Sequence, residues 1–249
     1  MSAGFSIEEE TLFEKTGEAV FARLRQTRNP ADLLRVLRQA HKRFDRAYDS
    51  APAAARALVA CRAGCGTCCH VPVGAQAHEV FLAAEFIQTR YSAEDLASVL
   101  DRLAAHRAAF AGRTMDERAA LKIPCALLRE GSCTIYEARP ESCRSHHSRN
   151  LEGCRSNLES GIDVVDVLIP EIRGRMFAVM LAIDQAVAEA GFDGQAYDFG
   201  SALHEALTDA MCMVRWKQRL SAFPESCREA GRPADPPDAS VIRAEGFFQ

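Results

Sequence analysis

Apolar residues recur at helical spacing through most of the chain. After Asn29-Pro30, residues Leu33, Leu34, Leu37, Ala40 and Phe44 fall on one face of ADLLRVLRQAHKRFDRAY. With Asn29 as cap, Pro30 at the first helical position and Asp32 in the first turn, this pattern predicts a helix running to about Tyr48. Residues 76–90 (QAHEVFLAAEFIQTR) read as a second helix, and Ser92-Ala93-Glu94-Asp95 resembles a capping box that opens LASVLDRLAAHRAAF. The same spacing predicts helices within 163–190 and within 201–221. Strand signals are scarce: only HVPVGA at 70–75 and CTIYEA at 133–138 are short apolar or β-branched runs beside turn residues. No self-similarity of repeat length is present. The expected fold is mainly α, a helical protein with an irregular cysteine-rich metal-binding segment.

The expected order of parts is a helical N-terminal region at 1–60, a cysteine-cluster metal-binding segment with inserted helices at 61–154, C-terminal helices at 155–227 and an extended tail at 228–249. The tail reading rests on the Pro-, Ala- and Gly-rich run AGRPADPPDAS. At 249 residues and 48% hydrophobic content, the chain can bury a sizeable core without crosslinks, so a metal is not needed merely to hold a small fold together. Its 30 Lys and Arg against 34 Asp and Glu leave a formal charge of -4, which provides no specific nucleic-acid signal. MSAGFSIEEETLFEK lacks the basic and apolar regions of a secretory leader, and the longest apolar run, MFAVMLAIDQAVAEA at 176–190, is cut by Asp184. The expectation is therefore a cytoplasmic protein, not a membrane protein, of bacterial type. In that compartment thiols stay reduced, and clustered cysteines mean metal or redox chemistry more often than disulfides.

That expectation matters because Cys61, Cys65, Cys68 and Cys69 lie in CRAGCGTCCH, with spacing C-x3-C-x2-C-C. Gly64 and Gly66 allow the backbone to turn tightly around a small object. A second set, Cys125, Cys133 and Cys143, lies in PCALLREGSCTIYEARPESCR, and a looser third set adds His146, His147 and Cys154. Adjacent Cys68-Cys69 between threonine and histidine is not a core pattern, whereas Cys212 in a helical apolar pattern reads as a small buried hydrophobe. His70, His146, His147 and Cys154 are further candidates for direct ligation or for supporting the ligands. Tyr136, Arg139 and Arg144 frame Cys143. Pro140 rigidifies the turn before it, and the guanidiniums near thiolates would ease the gathering of negative charge. His41, His78, His106 and His204 lie on predicted helices away from cysteine and are expected to be surface or core residues.

These motifs resemble the bacterial YkgJ-like cysteine-cluster family, a zinc- or iron-chelating domain. The resemblance covers about residues 61–145: the C-x3-C-x2-C-C run, a cysteine before a Leu-rich turn, then C-x-I-Y-x-x-R-P-x-x-C-R, all in order. It implies a domain and a metal, and no particular reaction. The cofactor is either an iron-sulfur cluster or zinc. Four thiolates around one zinc ion would form a closed, redox-silent site and a structural scaffold for protein interaction, while the same ligands around a [4Fe-4S] cluster would give a coloured, oxygen-sensitive protein. The number of thiols beyond one zinc site and the paired Cys68-Cys69 favour iron-sulfur.

A third reading is enzymatic. Cys61-x3-Cys65-x2-Cys68 has the spacing of radical S-adenosylmethionine enzymes, and the cysteine motif is similar to one in bacterial flagellin lysine methylases. A cluster-dependent modification enzyme is the corresponding alternative. Against it, Thr67 stands where an aromatic residue usually precedes the last cysteine, an alanine-rich helical run precedes the motif, and no glycine-rich turn follows a strand. The favoured reading is metal binding, with a metal ion or cluster as the partner. If the two cysteine groups share one site, helices at 76–90 and 92–111 must return the chain as an antiparallel hairpin.

Overall fold

The structure is a computed structural model that describes residues 5–160 and 165–228. These residues form eleven α-helices: α1 (Ile7–Leu24), α2 (Pro30–Asp49), α3 (Ala53–Ala57), α4 (Ala77–Arg90), α5 (Ala93–Phe110), α6 (Met115–Leu121), α7 (Glu141–Ser145), α8 (Leu151–Ser160), α9 (Pro170–Glu189), α10 (Phe199–Thr208) and α11 (Met211–Lys217). Their only strands are two antiparallel pairs, β1 (Gly74–Gln76) with β4 (Ala196–Asp198) and β2 (Leu128–Arg129) with β3 (Ser132–Cys133). The mainly α expectation is met, and no helix among the described residues is long and apolar enough to cross a membrane. Of the tail expected at 228–249, all but Arg228 lies outside the described residues.

Local chemistry sets the helix ends. Asn29 accepts from the Asp32 amide at the start of α2, Ser92 accepts from the Asp95 amide at the start of α5, and Thr114 with Glu117 closes a capping box on α6. The β2–β3 hairpin turns through Glu130 (φ 50) and Gly131 (φ 76), two successive left-handed residues of the kind a two-residue hairpin needs. Only part of each expected strand forms. Gly74 and Ala75 of the first run pair with β4, while Tyr136–Ala138 of the second form a 3₁₀ turn that drops Ile135 into the core. Two helical expectations are trimmed as well: α9 starts only at Pro170, and 201–221 is divided between α10 and α11.

The buried face of α2 carries Leu33, Val36, Leu37, Ala40, His41, Phe44 and Ala47, a stripe in which one member is a histidine. It packs against α9, which also lies along α1. On the other side α4 meets α2 and α10, and α10 also covers α5. The helices α4 and α5, joined at Tyr91–Ser92, both lean on α10, and β1 running into α4 lies beside β4 running into α10. The Val73 carbonyl accepts from the Phe199 amide at this junction, so the segment leaving the cysteine run is anchored to the C-terminal helices.

Candidate metal centre

The CRAGCGTCCH stretch is a compact loop that closes into a 3₁₀ turn at Thr67–His70. Gly64 adopts φ +84, where a β-carbon would strain the backbone. Within the loop the Cys65 amide donates to the Arg62 carbonyl and the Cys69 amide to the Gly66 carbonyl. His70 Nδ1 lies 3.2 Å from the carbonyls of both Gly66 and Thr67, so that nitrogen is engaged by its own turn.

This loop sits directly on the second cysteine group. The Cys125 amide donates to the Cys69 carbonyl at 2.7 Å, and a β-carbon on Gly66 would stand 3.1 Å from the Gly131 carbonyl in the β2–β3 turn. Cys133 is in β3, on that hairpin, and Cys143 is in α7. Electrostatics traces the same gathering. Cys143 is pushed up first by burial and then by Cys125, Cys68 and Cys133. Burial raises Cys125 to about 11, with Cys133 and Cys68 adding to it.

Cys61 and Cys154 approach from the other side. Ser148 ties them: its amide donates to Cys61 Sγ at 3.1 Å, and its hydroxyl accepts from Cys154 Sγ at 3.1 Å. Burial raises Cys61, and Cys68, Cys154 and Cys65 raise it further. Cys68 belongs to both neighbourhoods. It is the exposed member of the set, and hydrogen bonding from Cys69 lowers it to about 7 despite opposing burial. Eight free thiols from 61–69, 125–143 and 154 thus gather around the 3₁₀ turn, whereas Cys212 and Cys227 lie buried elsewhere.

The framing residues divide their work. The Arg139 guanidinium stacks over Tyr136 at 3.8 Å from the ring centre, donates to the Tyr136 carbonyl, helps lower Cys68 and opposes the burial that raises Cys133. Arg144 instead clamps the approach to α7, donating to the carbonyls of Glu137 and Arg139 and pairing with Asp45 at 3.9 Å. His147 stacks on Tyr48 at 4.9 Å, and the His146 carbonyl accepts from Cys61 Sγ. A narrow cleft beside Cys125, lined by Leu103, His106, Phe110 and Phe199, encloses about 20 Å³. That is room for roughly one water molecule.

The sequence reading missed a polar group in the core. His41 on α2, His78 on α4 and Glu141 on α7 have ligand atoms all within 4.8 Å of one another, and they are 6%, 0% and 1% exposed. His78 Nε2 lies 3.2 Å and His41 Nε2 3.0 Å from the same oxygen, Glu141 Oε1. Glu79 holds this corner through backbone amides: its carboxylate accepts from Gln76 and from Glu141 itself. Burial raises Glu79 to about 7, whereas burial lowers His41. Burial would lower His78 too, but Glu141, Glu79 and Asp184 together raise it to about 9. His41 was legible in principle, because it stands in phase with Leu37, Ala40 and Phe44 on the apolar stripe of α2.

The donor set fits a thiophilic metal: eight reduced thiols at one place, with a guanidinium and backbone amides beside them to offset thiolate charge. Residues 60–160 match the model of the CxxCxxCC family, described as "Putative zinc- or iron-chelating domain". The YkgJ-like resemblance of the motifs agrees with this match. Neither a curated protein nor a solved structure matches the chain.

Proposed function

We propose that the chain binds an iron-sulfur cluster through thiolates drawn from Cys61, Cys65, Cys68, Cys69, Cys125, Cys133, Cys143 and Cys154, and that holding this group is its function. The observation that carries the reading is the number of thiols that act on one another. Zinc in a closed tetrahedral site takes four thiolates. Here eight free thiols lie around one turn, with Cys68 acting on Cys61, Cys125 and Cys143 alike. A polynuclear cluster distributes its ligands over several metal atoms and suits a set larger than one zinc ion needs. It also uses the half-buried setting, with Arg139 to balance the negative charge that thiolates and sulfides bring.

Free thiols at this density support a reducing compartment such as the cytoplasm.

The test is anaerobic purification of the full chain followed by iron, zinc and acid-labile sulfide analysis and an absorption spectrum. Iron with matching sulfide, and a broad visible absorption that bleaches with dithionite, is the expected result. Zinc alone, filling the site without colour, overturns the cluster reading. A chain that takes up neither zinc nor iron overturns metal binding at the thiols altogether.

A further inference from the structure

The thiol site leaves the buried polar group on α2, α4 and α7 unexplained. Three observations together characterise it. Its donors come from three separate helices and converge, although interior positions of this kind are ordinarily filled by apolar side chains. Each residue also retains one buried polar atom with no hydrogen-bond partner: His41 Nε2, His78 Nδ1 and Glu141 Oε2. His41 Nε2 and His78 Nε2 both face the single oxygen Glu141 Oε1, at 3.0 and 3.2 Å, which leaves Glu141 Oε2 without a partner. Interiors rarely leave buried polar atoms of this kind unsatisfied.

The charge around the group points the same way. Glu141, Glu79 and Asp184 all act on His78, and on the opposite side the cation facing His41 and Glu141 is Arg144. A proton on His78 alone, paired with Glu141 Oε1, would still leave Glu141 Oε2 without a partner. One dication engages all three side chains at a single point and takes neutral imidazole as ligand. Two histidines and one carboxylate are a donor set for ferrous iron or zinc, in contrast to the all-thiol set nearby.

We propose that His41, His78 and Glu141 bind one divalent transition-metal ion, ferrous iron or zinc, at a second site separate from the thiols. Glu79 is not a ligand there, because backbone amides occupy its carboxylate. It positions Glu141 by holding the first turn of α7. That short helix carries a ligand of each site, Glu141 in the core and Cys143 two residues on, so the two sites share one rigid element.

The test uses cobalt(II) as the probe on the metal-free full-length protein, with bound cobalt counted after gel filtration. Thiolate-bound cobalt shows strong near-ultraviolet charge transfer, which nitrogen- and oxygen-bound cobalt lacks. The expected result is one equivalent without that band, retained in Cys65→Ser and weakened about tenfold or more in Glu141→Gln and in His41→Asn. The proposal is overturned if wild-type protein binds no such equivalent, or if both core variants keep it at unchanged affinity. Far-ultraviolet circular dichroism screens the variants for folding. Should neither fold, anomalous diffraction from cobalt-soaked wild-type crystals decides: a peak among the three side chains supports the site, and its absence overturns it.

Discussion

Gly66→Ala is the perturbation that most directly probes how the two cysteine segments are held together. Gly66 has φ −95, open to any residue, so the reason for glycine is space and not backbone freedom. A β-carbon there would stand 2.9 Å from Leu128 Cδ1 and 3.1 Å from the Gly131 carbonyl. The leucine methyl can rotate away. The carbonyl belongs to a hairpin turn fixed by two left-handed residues, so the loop and hairpin must separate by a few tenths of an ångström. Overpacking of this kind costs about 1–3 kcal/mol, and the yielding leucine places it at about 1–2 kcal/mol. In metal-free protein the loop can swing outward and shed part of that strain. Metal bridging Cys65 or Cys68 to Cys125 or Cys133 removes this freedom, so the cost falls on the bound state and lowers affinity about 5- to 30-fold.

Gly64→Ala is the matched control. Nothing stands nearer its β-carbon than Ser132 Oγ at 3.8 Å, and its cost comes from φ +84 alone, about 1–2 kcal/mol. Asparagine tolerates the left-handed region, so Gly64→Asn recovers part of the loss, whereas Gly66→Asn is no better than Gly66→Ala. Anaerobic competition against a chromophoric chelator measures all four variants. Wild-type affinity in Gly66→Ala, or recovery of Gly66 by asparagine, would refute the close-approach argument.

Two further outcomes follow from the same geometry. Cys212→Ser and Cys227→Ser retain the full metal content per chain, while Cys65→Ser and Cys68→Ser lose metal; equal loss from Cys212→Ser, measured by elemental analysis, shows that the ligand set has been drawn wrongly. Metal affinity at the thiols rises with pH, because Cys125 and Cys133 are raised by burial, hold their protons through neutrality in the metal-free fold and must release them on ligation. Each such thiol contributes about tenfold per pH unit between about pH 6 and about pH 8, and a flat profile in that window contradicts ligation by either.

How much of this was legible in the sequence depends on whether the controlling interaction is local. The ends of α2 and α5 were readable because Asn29 and Ser92 cap within their own chain segments. CTIYEA misled as a strand because its buried residue, Ile135, is inserted by a turn and not by alternation along a sheet. The break between α10 and α11 has no proline or glycine to announce it. There Asp209 accepts from the Met211 amide and pairs with Arg215, an arrangement that only the packed helices reveal. The cysteines could be read as a group from their spacing, but their joining required contacts without periodicity: Cys69 to Cys125 through backbone, and Cys61 to Cys154 through Ser148.

His41 and Glu141 show why a chelating motif can conceal neighbouring chemistry. Within ARPESCR, attention falls on Cys143, and Glu141 reads as a surface acid beside Arg144; folding places it 1% exposed against two histidines from helices about 60 and 100 residues upstream. The sequence did carry a signal, a histidine in phase with the buried face of α2, but spacing alone cannot distinguish a packed imidazole from one facing a carboxylate. The difference lies in what α4 and α7 bring to that position. Because α7 is one short helix, displacing Glu141 also moves Cys143, and Glu79 fixes both by capping the turn between them and the proline. The thiol segment is therefore built onto the helical core through a buried charged corner, so its geometry depends on residues outside the cysteine motif as much as on the cysteines themselves.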